Sequence, residues 1–432
     1  MAHFLMVEGW VGESGNLILP LLEELGHTYT LVTRNPKHYY RWDGQAGSHP
    51  LFQNAAEVIE TETNDIPQLI ERVRNLRFDG VISVCDYYFD AVNAISSELN
   101  LPCPLPKNLK NIRQKHLMRA SLDRAGVPNA KYRLAHTWDE VLSEANEMGY
   151  PFVVKPVDLG SSSFVRIVHN ENELYDAFNA LDGFQLNYRD QERNHTILLE
   201  EFLKGEEISV ECVVYRGEIT VIGSTDKSLI GYPFFIENGH MFPADISSGL
   251  FSETTDYIKR VLRAVEFDNG VAHIEVKLTE RGPRIVEINP RTPGNFIIEL
   301  IAYVTGLNLL KVFVELALGE APDLQRKETD IKSAAVKFLT PPRAGTIEEI
   351  RGVNILRSNP NIVRCRVADY AGRQVSVPVD NNCYMGHVIA VDREDHKARL
   401  YAEQALEQLE LIYVEESDCE ADGFAPCKSF FV

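Results

Sequence analysis

Four residues in the stretch GVAHIEVKLTERGPRIVEINPRTPGN (residues 270–295) could together do metal and phosphate chemistry: Glu275, Glu287, Asn289 and Arg291. Apolar and polar residues alternate along 272–278 and again along 284–288, the period of two expected of half-buried strands. This predicts a hairpin turning at 279–283, with Glu275 and Glu287 side by side on one face. Two carboxylates that close repel unless a cation lies between them. Mg2+ suits the place, because it takes oxygen ligands, keeps several waters, and is usually held by one or two carboxylates plus nucleotide phosphates. Asn289 and Arg291 leave the same strand end, and Pro290 and Pro293 stop the strand. Taken alone, the pattern fits a solvated hairpin face with alternating charges equally well.

Further upstream, strand 152–155 ends in Lys155-Pro156 and runs into Gly160-Ser161-Ser162-Ser163 before the next strand. Backbone N–H groups and hydroxyls of such a turn can cover phosphates, with Lys155 supplying charge. No Gly-Lys-Ser/Thr opens a helix here, so it is not a Walker A loop. An ordinary hairpin turn is the plainer reading. The strand at 196–202 leads into Glu200, Glu201, Phe202, Leu203 and then Glu207. Free backbone groups at Glu201 and Leu203 could read an adenine, and Glu207 could accept from ribose hydroxyls. An acidic turn is again the alternative. The aromatic stretch Tyr232, Phe234, Phe235, His240, Met241 and Phe242 suits either a substrate pocket or packing.

The elements that must position these groups read as several domains. Residues 1–105 alternate strand and helix, as a Rossmann-like parallel layer does. The turn after the first strand has glycines at Gly9, Gly12 and Gly15, spaced GxxGxxG, and Arg34-Asn35 follows the second strand where a dinucleotide site wants an acid. We therefore expect this turn to abut a neighbouring domain's substrate and not to hold a nicotinamide or flavin. Residues 106–325 form the middle region: linker helices to 150, including an amphipathic helix at 111–125 carrying Lys115; a lid subdomain at 151–215; and a metal and substrate subdomain at 216–325. Residues 326–432 read as a small α+β domain with an aperiodic tail.

With 432 residues the chain exceeds a single core, and its 44% hydrophobic and 25% charged content is that of a globular protein. A formal net charge of -20 disfavours nucleic acid and anionic membrane partners. Without a long apolar run or a basic leader at its start, the chain is expected in the cytoplasm. Its seven cysteines lack zinc or CxxC spacing and read as small apolar residues in a reducing compartment.

Taken in order, Lys115, Val-Val-Lys155-Pro with its Gly/Ser loop, Glu200 to Leu203 with Glu207, and Glu275 with Glu287-Ile288-Asn289-Pro290-Arg291 resemble the motif set of the ATP-grasp superfamily. His273-Ile274-Glu275, Thr225-Asp226-Lys227, Gly345-Thr346-Ile347 and Gly386-His387-Val388-Ile389 are similar to its L-amino acid ligase branch, which includes dipeptide, bacilysin and dapdiamide synthetases. The resemblance implies an ATP-grasp fold between a Rossmann-like and an α+β domain. It also implies an ADP-forming carboxylate-amine ligase that joins an amino acid or amino-acid-like acid to a second amino acid through an acyl phosphate. ATP and Mg2+, with Mn2+ as the alternative ion, are the implied cofactors; a homodimer is the base-rate expectation.

Carried onto these positions, Lys115 and Lys155 would hold ATP phosphates beneath the loop Gly160, Ser161, Ser162 and Ser163. Glu200 and the backbone of Glu201, Phe202 and Leu203 would meet adenine, and Glu207 ribose. Glu275, Glu287 and Asn289 would hold the metal, and Arg291 the acid being activated. His273 and Lys227 would face the substrate. Ser163 departs from the family's usual glycine, which would stiffen loop closure. The competing readings are bicarbonate or formate activation in carboxylase or purine chemistry, and a non-catalytic ATP-binding module.

Overall fold

A computed structural model describes residues 1–12, 16–39, 49–356, 358–381 and 383–414. Gly15 of the N-terminal turn, Cys419, Cys427 and the tail lie outside the described residues. Four parallel strands open the chain: β1 (His3–Val7), β2 (Thr28–Thr33), β3 (Glu57–Glu60) and β4 (Gly80–Ile82), in the order β3-β2-β1-β4. Strand β1 is almost wholly buried, as a parallel strand covered on both faces must be. Asp86 and Tyr87 lie just past the carboxyl end of β4, the edge where open α/β sheets bind ligands.

The middle region begins with a difference from the sequence expectation. Instead of one helix at 111–125 there are two, Leu109–Arg113 and Lys115–Arg124, because Gln114 takes an extended conformation (ψ 109°). The break makes Lys115 the first residue of a helix, and its backbone N–H donates to Val157 O at 3.2 Å. A four-stranded antiparallel sheet follows, formed by β5 (Tyr132–Ala135), β6 (Phe152–Pro156), β7 (Arg166–Val168) and β8 (Ile197–Glu201) in the order β5-β8-β6-β7. Helices Trp138–Met148 and Glu171–Asp182 cover one face through Val141, Ala145, Leu174, Ala177 and Leu181.

An eight-stranded sheet forms the floor of the molecule. Five of its strands are β9 (Glu206–Tyr215), β10 (Glu218–Ile230), β11 (Ile236–Phe242), β12 (Gly270–Thr279) and β13 (Gly282–Asn289). It continues into the C-terminal region through β14 (Ser333–Leu339), paired to β11. There β15 (Gly345–Arg351) and β17 (Gln374–Val375) join β19 (Glu410–Tyr413) in a three-stranded sheet, while β16 (Ile362–Val367) and β18 (Gly386–Asp392) complete the large one. Its order is β13-β12-β9-β10-β11-β14-β18-β16.

Alternation divides this floor. Ile208, Val210, Ala272, Ile274, Val276 and Ile285 turn to an apolar layer that includes Tyr257, Ile258 and Val261 of helix Ser248–Ala264. Ser247 caps that helix, its side chain accepting from the Leu250 N–H. Glu207, Ser209, Glu211, Lys227, Glu275 and Glu287 occupy the alternate positions and are drawn together on the other side by ion pairs and hydrogen bonds. Among the described residues no single helix is long and apolar enough to cross a membrane; the apolar helices Ile297–Thr305 and Leu309–Ala317 meet at 103° and contribute to the core.

Candidate active site

The hairpin forms in the expected register: Glu275 pairs with Glu287 and His273 with Asn289. A bulge between Glu275 and Val276 shifts the pairing beyond them. Each carboxylate meets a lysine. Glu287 accepts from Lys115 Nζ at 2.9 Å and from Asn289 Nδ2 at 3.0 Å. Glu275 accepts from Lys227 Nζ at 2.9 Å. Burial opposes ionisation of Glu287, but Lys115 holds its carboxyl well below the usual range. The same pairing lifts the Lys115 ammonium against the effect of burial.

Lys155 and Glu200 form a second cluster. The Lys155 ammonium lies 2.5 Å from Glu200 Oε2, and Arg119 Nε lies 2.7 Å from Oε1 of the same carboxylate. Arg119 is fully buried and also donates to Asn129 Oδ1, Ile285 O and Val286 O, joining the lid sheet to the hairpin. Burial would raise the Glu200 pKa, yet Arg119 and then Lys155 hold it down to about 2. Two cations share that one carboxylate, so Lys155 is short of countercharge. Burial lowers its pKa despite Glu200, and Arg119 adds to the lowering.

A third cluster surrounds Lys227, whose Nζ lies 2.9 Å from Glu207, 3.0 Å from Glu237 and 2.9 Å from Glu275. An ammonium has three N–H donors, and all three are engaged. Lys277 reaches the other oxygen of Glu207 at 3.1 Å. His273 Nδ1 is 3.0 Å from Glu211, whose other oxygen accepts from Thr225. Arg291 Nε stands 3.4 Å from Asp86 across the cleft.

A cleft bordered by Asp86, Tyr87, Lys115, Asp158, Gly160, Glu287 and Asn289 brings the hairpin, the linker helix, the loop and the N-terminal domain together. Ser161 and Ser162 in the loop, and Phe164 after it, have φ of 56°, 54° and 59°, each costing about 1–3 kcal/mol for a residue with a Cβ. Ser163 is not among these left-handed residues; its buried hydroxyl is 2.9 Å from that of Tyr188.

Two sequence expectations change here. Glu200 is occupied by Lys155 and Arg119, and the Glu201 N–H donates to Lys131 O at 2.9 Å, so neither the carboxylate nor that N–H is free for a base. Glu207 is likewise held by Lys227 and Lys277. At Gly205, which turns β8 into β9, a Cβ would lie 2.0 Å from Leu278 O, so glycine lets the segment 201–205 pass close over the hairpin. Arg119, Glu237, Lys277 and Asp86 were not anticipated. Arg119 stands one helical turn after Lys115, and that i,i+4 pair of cations was the available signal.

Among the described residues, no group of three or more His, Cys, Asp or Glu converges as a metal cage. Two paired carboxylates and an amide are the donor set that fits Mg2+ completed by phosphate oxygens and water.

An ATP-grasp domain model matches residues 148–299, and an L-amino acid ligase C-terminal domain model matches residues 337–414. Over 358 residues the chain is 28% identical to an uncharacterised protein, y4rH, of Sinorhizobium fredii, covering 82% of this chain and 73% of that one. It is 27% identical over 233 residues to alanine–anticapsin ligase of Bacillus subtilis, half of this chain and 49% of that protein, so the chain spans about half of that relative's length. The structure of an L-amino acid ligase from Bacillus licheniformis superposes with a TM-score of 0.78 at 20% identity, over 96% of this chain and 99% of that one. The fold is thus the ATP-grasp fold, shared with a biotin carboxylase domain from Hydrogenobacter thermophilus that was solved with MgADP (TM-score 0.69, 16% identity, 96% of this chain and 92% of that one). The chain therefore carries an ATP-grasp domain at 148–299 and an L-amino acid ligase C-terminal domain at 337–414.

Proposed function

We propose that the chain is an ATP-dependent carboxylate-amine ligase. It joins an amino acid or amino-acid-like acid to a second amino acid through an acyl phosphate, releasing ADP and phosphate. The observation that carries this reading is the division of charge along one site. Toward the lid, three cations (Lys115, Lys155 and Arg119) face two carboxylates (Glu200 and Glu287). Toward β11, three carboxylates (Glu207, Glu237 and Glu275) face two lysines (Lys227 and Lys277). Surplus positive charge suits phosphates, and surplus negative charge suits a cation or an ammonium group.

A carboxylate is a poor electrophile, and phosphorylation makes it reactive toward an amine. The transfer requires positioning and charge neutralisation more than covalent help. Lys115 and Lys155 take the phosphates, with Glu200 orienting Lys155. Gly160 to Ser163 cover them and keep water away. Glu275, Glu287 and Asn289 would hold Mg2+, or Mn2+ in its place, which supplies neutralisation at the phosphoryl oxygens. Arg291 faces the acid. Lys227, with its donors already engaged, works on the substrate side by fixing Glu237 and Glu275, and His273 adjoins Glu275 at 3.7 Å. Phe202 to Leu203 and Glu207 border the nucleoside. The L-amino acid ligase C-terminal domain favours amino acids over bicarbonate.

The test is to incubate the protein with ATP, Mg2+ and pairs of amino acids or small acids. ADP, phosphate and amide are expected in equal amounts. AMP with pyrophosphate would exclude the acyl phosphate, bicarbonate-dependent ADP would favour carboxylation, and no turnover with any pair would leave a binding module.

A further inference from the structure

The N-terminal glycine turn has no place in the ligase scheme, yet the lid inserts a buried arginine into it. Arg189 lies between helix Glu171–Asp182 and β8, in a small hairpin whose strands bridge at Leu186 and Glu192. Only 1% exposed, it donates through Nη2 to Gly9 O at 2.5 Å. Its guanidinium lies against Trp10 and Tyr39, with 5.3 and 5.5 Å to the ring centroids. Its own carbonyl accepts from Asn64 at 2.9 Å and Arg34 at 3.2 Å. Gln191 donates to Asn64 Oδ1 at 3.1 Å and to Tyr87 O at 3.2 Å, in the wall of the cleft.

The preceding residue faces the other way. Tyr188 is paired through its hydroxyl with Ser163 at 2.9 Å. Phe184 links Tyr188 to Phe164, with centroids 5.4 and 4.9 Å apart. Three residues at 161–164 hold left-handed backbone conformations that side chains disfavour, so contacts from outside must maintain the loop.

We propose that the segment 186–192 is a strut: Arg189 anchors it in the N-terminal glycine turn, and Tyr188 holds the phosphate-covering loop at its other end. Arg189 and Tyr188 are thus positioning residues, and the water exclusion they support rests on the ligase reading above. Adjacent in sequence, they couple directly: seating one fixes the other. An unseated strut frees the loop, and water then competes with the amine for the acyl phosphate.

The test uses full-length Arg189→Ala, Arg189→Lys and Tyr188→Phe. Hydrogen exchange of amides 160–165 should quicken, by about three- to tenfold for the single hydroxyl lost in Tyr188→Phe. KM for ATP should rise more than kcat falls, and ADP should exceed amide. Lysine should not rescue, because only a planar guanidinium stacks on both rings. Unchanged exchange at 160–165 in a folded variant, or one ADP per amide in all three, would overturn the proposal. If Arg189→Ala does not fold, Tyr188→Phe decides. If the parent forms no amide with any pair, the ligase reading fails, and exchange alone still decides the strut.

Discussion

Replacing Glu200 with glutamine probes the electrostatics of the Lys155 and Arg119 cluster. Glutamine keeps the shape and one acceptor oxygen but removes the charge that Arg119 and Lys155 share. Those cations hold the carboxyl at about 2 against an ordinary 4.5. At about 1.4 kcal/mol per tenfold change in proton affinity, this corresponds to about 3 kcal/mol of folding free energy at neutral pH. The figure agrees with the roughly 3–5 kcal/mol lost when a buried ion pair is broken from one side. Because the acid's pKa is depressed on folding, its stabilisation is fully present above pH 4.5 and is lost as the pH falls through about 2. Urea denaturation at pH 7 should show the variant about 3 kcal/mol less stable, with the gap closing between pH 4.5 and 2. ATP should then stabilise the variant more than the parent, since phosphate replaces the missing countercharge on Lys155. Parent-like stability at pH 7, or a gap unchanged down to pH 3, would refute the shared-carboxylate argument.

Other perturbations test other parts of the site. Glu287→Gln should lower turnover by about 100-fold or more with an unchanged circular dichroism spectrum, and near-normal turnover would count against the metal-holding role proposed for Glu287. Lys227→Met removes the ammonium that Glu207, Glu237 and Glu275 share and leaves Lys277 as the only lysine among them, against Glu207. It should cost about 3–5 kcal/mol at pH 7, read by thermal denaturation, and the deficit should shrink as the carboxylates protonate. His387 lies tilted against Phe296 with centroids 4.1 Å apart, and burial, with Arg364 and Arg366, takes its pKa down to about 4. The unfolded chain therefore binds this proton below pH 6.5 while the native state does not until about 4, so stability falls over that interval by about 3 kcal/mol. His387→Gln should lack this part of the pH dependence, and an identical profile would count against it.

What was legible in the sequence is what local periodicity writes. A period of two set the register of Glu275 against Glu287, because a slip of one residue would bury the charges and expose Ile274 and Ile288. The strand ending in Lys155-Pro156 was readable because Val-Val-Lys-Pro runs into a serine-rich turn. Groups that act across elements left fainter traces. Arg119 connects a linker helix to both Glu200 and the hairpin backbone, and only its spacing from Lys115 hinted at this. Glu237 sits on β11, yet its backbone N–H donates to Asn381 Oδ1 and its carbonyl accepts from the Tyr384 hydroxyl, both from the C-terminal region. Helical periodicity carries across Gln114 and hides the break there, although the break is what makes Lys115 a helix-opening residue. The expectation that Glu200 meets adenine and Glu207 ribose lacks their lysine partners, because strand periodicity does not show that Lys155, Lys227 and Lys277 lie on the neighbouring strands β6, β10 and β12.

Isotope transfer can follow the activation of the carboxylate as an acyl phosphate. With an accepted amino acid labelled with 18O in its carboxyl group, one labelled oxygen should appear in inorganic phosphate for each amide formed, with ADP as the only nucleotide product. Label in AMP, or amide formed with unlabelled phosphate, would contradict the account.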